Sequence, residues 1–258
     1  NTAVGTLALT ANSSGTDNTA VGYAALDANT TASNNTAIGD NALGANTTGA
    51  NNTALGAAAG AANVDDTENV AIGYAANHPD GGSYVTAVGS QSLNANTADS
   101  NSGIGYLALT ANTTGTANTA VGRSSMAANT TASYGTAVGM TALANNTTGA
   151  SNTAVGYYAL VTNTTGATNV AIGDQALEAN TTGTSNVAVG SQALEATTTT
   201  SNNTAVGKNA LLVSTGTGNT AMGYTALDAN TTGGYNVAIG FDTLGASTTG
   251  SDNTAIGN

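Results

Sequence analysis

The residues that could carry out acid-base chemistry are few and lie in one short stretch of the chain. The single His, His78, stands beside the single Pro, Pro79, in the segment NHPDGG, and the chain contains no Cys. General-base and nucleophilic catalysis need a base held beside a second reactive group, and no such pair recurs along the sequence. We therefore expect no enzyme activity and no cofactor.

Four carboxylates crowd the same irregular stretch, residues 63–84, where they could bind a metal ion. They are Asp65, Asp66, Glu68 and Asp80. Carboxylate and carbonyl oxygens are the ligands that Ca²⁺ prefers. The spacing matches neither the EF-hand loop nor the glycine-rich nonapeptide of calcium-binding β-rolls. The sequence therefore favours a solvated loop over a metal site.

A second polar set recurs through the chain in the phrase Asn-Thr-Thr. Representative copies are Asn29, Thr30, Thr31, Asn46, Thr47, Thr48, Asn163, Thr164 and Thr165. Asn-x-Ser/Thr is the acceptor tripeptide for N-linked sugar. Stacked Thr residues also resemble the flat faces of ice-binding β-solenoids, and Thr is in any case a good residue for strands on a wetted face. A glycan ladder, an ice-binding ladder and a plain surface all remain open.

These residues belong to a repeat that fills the chain. The unit reads N-T-A-[VI]-G-x-x-A-L-x-A-N-T-T-G-x-x, with seventeen residues in most copies and sixteen in three of them. Fifteen full copies and a sixteenth start begin at Asn1, Asn18, Asn35, Asn52, Asn69, Val85, Asn101, Asn118, Gly135, Asn152, Asn169, Asn186, Asn203, Asn219, Asn236 and Asn253. No change of composition marks a linker, so we predict a single domain over residues 1–258.

Positions 2 to 5 of the unit alternate large and small residues, which is the period of a β-strand. The A-L-x-A segment fits a second short strand, and Asn-Thr-Thr-Gly has the residues of a turn. We predict a core ladder from positions 4 and 9, made of Val4, Val21, Ile38, Ile72, Val121, Val155, Ile172, Leu9, Leu26, Leu43, Leu143 and Leu177. Stacked coils of this kind form an all-β fold, a parallel β-solenoid (β-roll) with one coil per 16–17-residue repeat.

The small residues at positions 3 and 5 would then point away from that core. Examples are Ala20, Gly22, Ala37, Gly39, Ala154 and Gly156. Invariably small residues indicate a close approach by another backbone. We interpret this face as an interface between copies of the chain, in a homotrimer or an end-to-end filament.

Charge and hydropathy exclude two classes of partner. The chain has two basic and fourteen acidic residues and a formal net charge of -12. Phosphate backbones are bound by Lys and Arg, so we expect no nucleic acid partner. No apolar run approaches the length of a membrane-spanning helix, so we expect no membrane insertion within this segment.

The pentapeptides NTAVG, NTAIG, NVAIG and NVAVG resemble the S-x-A-[IV]-G phrase of the YadA-type head repeat of trimeric autotransporter adhesins. The whole unit is also similar to repeat arrays in bacterial and phage tail-fibre proteins. The resemblance implies a left-handed roll of three chains and a role in adhesion at a cell surface or a virion fibre. We expect an extracellular fibre or adhesin body that presents a binding function to a host-surface or glycan receptor. The alternatives are an ice-binding solenoid and a glycosylated surface sheath or matrix protein.

Overall fold

The computed structural model describes residues 1–77 and 82–258, and the chain divides into two compact units. Unit 1 is Asn1–Thr131 and unit 2 is Ala132–Asn258. The described residues form sixteen short strands, one at each repeat start, and no helix. The predicted all-β, parallel β-solenoid with one coil per repeat is confirmed. The single domain over residues 1–258 stays a prediction.

Unit 1 contains eight parallel strands of three residues each. They are β1 (Thr2–Val4), β2 (Thr19–Val21), β3 (Thr36–Ile38), β4 (Thr53–Leu55), β5 (Val70–Ile72), β6 (Thr86–Val88), β7 (Ser102–Ile104) and β8 (Thr119–Val121). Each strand pairs with the next along the chain, and equal repeat positions lie opposite one another, as Ala20 does with Ala37. The sixteen-residue copies keep this register, because Ala71 still pairs with Ala87.

Unit 2 repeats the arrangement with another eight parallel strands. They are β9 (Thr136–Val138), β10 (Thr153–Val155), β11 (Val170–Ile172), β12 (Val187–Val189), β13 (Thr204–Val206), β14 (Thr220–Met222), β15 (Val237–Ile239) and β16 (Thr254–Ile256). Ala154 lies opposite Ala171 in the pair β10–β11. An in-register parallel ladder places identical side chains in columns about 4.8 Å apart.

The core of each coil lies on the alanine side of the strand, which corrects the predicted core ladder. The position-4 residues Val4, Val21, Ile38, Ile72, Val121, Val155 and Ile172 all remain partly or largely exposed. The position-3 residues Ala20, Ala37 and Ala154 are instead 0% exposed. Among the leucines of the ladder, Leu26, Leu43, Leu143 and Leu177 lie in the core and Leu9 is half-buried.

The width of a coil explains why alanine faces inward. A methyl group added at Gly103, the one position-3 residue that is not Ala, would lie 3.1 Å from Leu93 Cγ and 2.6 Å from Ser92 Oγ. The space between this strand and the opposite turn is thus too small even for a methyl group, and in coils such as those of Ala20 and Ala37 it holds one methyl group that is fully buried. A Val or Ile side chain would not fit there, so the large residue of each strand faces out. A period of two is compatible with either orientation, and the interior volume decides between them.

The predicted interface of small residues is also wrong, because its close contacts are made within the chain. Ala20, Ala37 and Ala154 lie inside their coils, as described above. A Cβ atom at Gly22 would lie 2.3 Å from the carbonyl oxygen of Gly39, and one at Gly156 would lie 2.3 Å from that of Gly173. Glycine at position 5 is required by the next coil of the same chain.

The A-L-x-A segment is a turn and not the predicted second strand. Positions 7 and 9 both have positive φ, for example 50° at Ala24 and 52° at Leu26. Their N–H groups bond in opposite directions, from Ala24 N to Thr6 O at 3.0 Å and from Leu26 N to Ala42 O at 3.1 Å. A left-handed leucine costs about 1–2 kcal/mol of backbone strain. That cost is offset here by complete burial of the side chain and a hydrogen bond to the next coil.

Candidate interaction surfaces

Within each unit, two columns of buried asparagine lie in the interior and join successive coils. At position 1, Asn35 N donates to Asn18 Oδ1 at 2.9 Å, and Asn18 Nδ2 donates to Ala32 O at 2.8 Å. At position 12, Asn29 Nδ2 donates to Asn12 Oδ1 at 2.8 Å. Both columns follow the repeat, so each satisfied amide bridges one coil to the next. The recurrence of Asn at position 1 was the sequence signal for a column that we did not predict.

The asparagines of the Asn-Thr-Thr phrase cannot act as glycan acceptors in the folded chain, which corrects that interpretation. Asn29, Asn46 and Asn163 are each 0% exposed. Both hydrogens of Asn163 Nδ2 are engaged, with Asn146 Oδ1 at 2.7 Å and Gly166 O at 2.9 Å. An N-linked sugar replaces one of these hydrogens and would have to occupy the core. These side chains are structural.

The position-12 column is interrupted where another residue replaces Asn. Asn180 Nδ2 continues the column by donating to Asn163 Oδ1 at 2.8 Å, but the next repeat has Thr197. Thr197 Oγ1 donates to Ser214 O at 2.9 Å, and the buried Asn180 Oδ1 has no hydrogen-bond partner. The interruption at Thr197 thus leaves an acceptor without its donor, which is costly in a protein interior.

The Thr pairs of the phrase divide into one engaged and one exposed column. Thr30, Thr47 and Thr164 each donate from Oγ1 to a backbone carbonyl of the next coil, at 3.1–3.2 Å. The following residues, Thr31, Thr48 and Thr165, are exposed. Both columns lie at a bend of the coil and not on its strand.

The outer strand face, defined as the side chains at positions 2 and 4 of every repeat, is apolar or hydroxylated throughout. None of the sixteen described strands contains a charged residue. Its largest exposed members are Val4, Ile38, Leu55, Ile104, Val138, Ile172, Met222 and Ile256. A large contiguous patch of exposed apolar side chains marks an interaction surface. This continuity holds within each unit.

Aromatic residues stand beside the outer strand face, at position 6 and at the last position of the repeat. Exposed examples are Tyr23, Tyr74, Tyr84, Tyr106, Tyr134, Tyr157, Tyr224, Tyr235 and Phe241. Tyr224 and Phe241 come from successive repeats and their rings stack with centroids 5.3 Å apart. Among the described residues, the exposed large apolar side chains outside position 4, position 6 and the last position of the repeat are Leu7, Val64 and Val213. Exposed apolar surface is therefore concentrated near the strands.

The acidic stretch considered as a metal site gives no ligand cluster. Asp65 and Glu68 are exposed. The backbone N–H of Asp66 donates a hydrogen bond to Asn63 Oδ1 at 3.0 Å. Across the described ranges, no group of three or more His, Cys, Asp or Glu could hold a metal ion. Asp80 and His78 lie outside the described residues.

A small acidic cleft in unit 2 was not predicted from the sequence. It has a volume of about 250 Å³ and is lined by Thr162, Glu178, Ala179, Glu195 and Ala196. Burial, and then the charges of Glu178 and Asp174, raise the pKa of Glu195, while a hydrogen bond with Gln192 opposes the change. The signal was the seventeen-residue spacing of Glu178 and Glu195, which places like charges in successive coils.

No known protein family model matches this chain, and no curated protein is significantly similar to it. In the two described ranges, the structure contains no helix that is both long and apolar enough to cross a membrane.

Proposed function

We propose that the chain is the structural body of an extracellular fibre or adhesin and extends a binding function away from a surface. The columns that join its coils support this proposal. Successive coils are connected by strand hydrogen bonds, by backbone bonds such as Leu177 N to Ala193 O at 3.0 Å, and by asparagine columns. A coil bonded at so many points resists local bending and opening, as an element that transmits force along a fibre must.

The outer strand face supports a self-associated form, for which we propose the homotrimer implied by the YadA-type resemblance. Ile38 in unit 1 and Ile172 in unit 2 remain 38% and 39% exposed, each on an outer strand face whose strands contain no charged residue. Apolar side chains that recur in every coil would be buried together by a second and a third copy. The predicted interface thus moves from the Ala-Gly side of the strand to the Val/Ile side. The exposure of these position-4 side chains within each unit is the single observation on which the association depends.

The particle mass in solution tests the proposal. We expect light scattering to give three chains per particle. Val155→Asp and Ile172→Asp should each shift the mass toward one chain, because an interface cannot bury an unpaired carboxylate without a large penalty. Thr165→Asp, exposed on the bend, is the matched control and should leave the mass unchanged. A single-chain mass for the unaltered protein would contradict self-association, and an open-ended size distribution would favour the filament form.

The ice-binding alternative has less support from the geometry. It needs a flat column of free hydroxyl groups, whereas Thr30, Thr47 and Thr164 use theirs to bond the next coil. Their exposed neighbours stand on a bend, where the backbone is not flat. We therefore prefer the fibre body, and thermal hysteresis measured in a concentrated solution would reverse that preference.

A further inference from the structure

Four Asn-x-Thr tripeptides differ from those of the Asn-Thr-Thr phrase because their asparagine lies at the surface. They begin at Asn34, Asn51, Asn145 and Asn202 and read Asn-Asn-Thr. All four of these asparagines are exposed. An accessible acceptor for N-glycosylation is thus absent from the Asn-Thr-Thr turn, where the tripeptide is most frequent. It is present at the four Asn-Asn-Thr tripeptides.

Successive side chains of an Asn-Asn-Thr tripeptide face alternately outward and inward, which explains why its first Asn is exposed. In the first of them Asn34 faces solvent, Asn35 is 0% exposed as a member of the position-1 column, and Thr36 returns to the outer side of the strand. The same order, exposed then buried then outward, holds for the tripeptides at Asn51 and Asn202. Both groups that a glycosyltransferase must reach, the amide and the hydroxyl, therefore face outward together.

The side chains of these acceptor asparagines also make no hydrogen bond that the fold needs. Asn34, Asn51 and Asn202 have φ values of 62°, 62° and 63°, a conformation that Asn tolerates well. Their backbone N–H groups bond to the preceding coil, but no hydrogen bond connects their side chains, or those of Thr36, Thr53 and Thr204, to another described residue. A sugar at these amides would break no contact of the fold. In contrast, the tripeptide at Asn145 ends in Thr147, whose Oγ1 donates to Thr164 O at 3.0 Å.

We propose that Asn34, Asn51 and Asn202 are acceptor sites for N-linked sugar. The donor class is an isoprenoid-diphosphate-linked oligosaccharide supplied with its transferase. The amide Nδ2 forms a bond to the anomeric carbon, and the bond from that carbon to the diphosphate oxygen breaks. The amide proton passes to a base of the transferase, and the isoprenoid diphosphate leaves with the bonding electron pair. The inference rests on the extracellular location proposed above.

The test is site mapping on protein isolated from its producing cells. A deamidating N-glycosidase converts a glycosylated Asn to Asp where it accepts the linking sugar, and the added mass of the untreated peptide identifies any sugar that the enzyme leaves in place. The chain has only two basic residues, so elastase and not trypsin must provide the peptides. We expect conversion at residues 34, 51 and 202, little at Asn145, and none at Asn29 or Asn163. Peptides of unmodified mass at all three sites, or a sugar at the buried asparagines, would overturn the proposal.

A paired substitution checks that the tripeptide is what the enzyme recognises. Thr36→Val removes the hydroxyl and should lower occupancy at Asn34 at least tenfold, while Asn51 and Asn202 stay occupied. The strand accepts this change, because Val170, Val187 and Val237 occupy the same repeat position. Thr36→Ser should restore occupancy, and unchanged occupancy in Thr36→Val would contradict the assignment. The light-scattering mass of protein made without the transferase tests the fibre proposal independently.

Discussion

The columns that face into a coil and those that face out of it accept very different amounts of sequence change. Position 3 is Ala everywhere except Gly103, whereas position 6 holds residues as unlike as Tyr23, Asp40, Arg123 and Met140. An inward side chain meets its own coil and the next one at interior packing density, while an outward one meets solvent. Regularity of the repeat is therefore a property of its interior, and the outer columns are the part that can vary with function.

The largest expected effect comes from placing a methyl group in a close contact between two successive coils. Gly156→Ala would place Cβ 2.3 Å from the carbonyl oxygen of Gly173, at a φ of 141°. We expect a loss of roughly 3 kcal/mol or more, because backbone strain and an immovable neighbour combine. Hydrogen exchange of the amides in residues 152–185 should show local opening. The control is Asp174→Ala, which removes an exposed carboxylate side chain one position after Gly173. It should change the free energy of unfolding by less than about 0.5 kcal/mol. Equal effects of the two would refute the inner–outer distinction.

A matched pair in unit 1 offers a sharper test of interior volume. Gly103→Ala restores the consensus residue, yet its methyl group would lie 2.6 Å from Ser92 Oγ, which donates to Gly103 O at 2.8 Å. We expect the single variant to lose about 1–3 kcal/mol through overpacking. Adding Ser92→Ala should recover most of that loss, because it recreates the Ala-Ala pair of other repeats. Urea unfolding of both single variants and the double variant measures the coupling, and additive effects would contradict direct contact.

The sequence was sufficient for the coil and its strand, but it did not determine which side of the strand faces inward. Spacing alone predicts one strand per repeat, and every described repeat start has one. The orientation depended on the distance across the coil, which no residue pattern states, so Ile38 and Ala37 were assigned to the wrong sides. The turn at Leu43 was missed because a leucine with φ near 49° contradicts local preference and is maintained only by burial. Position 12 was mistaken for surface because Asn at a turn is usually exposed.

Repairing an interrupted inner column should stabilise unit 2. Thr197→Asn would place an amide beside the unpartnered Asn180 Oδ1 and let the column of Asn163 and Asn180 continue by one coil. We expect a gain of about 1 kcal/mol, since a buried acceptor regains its donor and the lost Thr197 bond to Ser214 O partly offsets it. Thermal unfolding measures the gain. Thr198→Asn, on the exposed neighbour, controls for the added amide. A lower Tm for Thr197→Asn alone would show that the site cannot accept the larger side chain.

The smallest expected effect concerns an outer feature, the cleft between Glu178 and Glu195. Burial and like charges raise the pKa of Glu195 above its value in the unfolded chain. The unfolded chain therefore releases this proton first, so the contribution of Glu195 to stability is complete below about pH 4.3, the ordinary Glu value, and is lost as pH rises through the raised folded pKa. Glu195→Gln should flatten this part of the stability profile, measured by urea unfolding between pH 4 and pH 7. Asp40→Asn removes one exposed negative charge from unit 1 and should leave this part of the stability profile unchanged. If Glu195→Gln also leaves it unchanged, the cleft carries no electrostatic strain and the outer columns are as neutral to stability as their variability suggests.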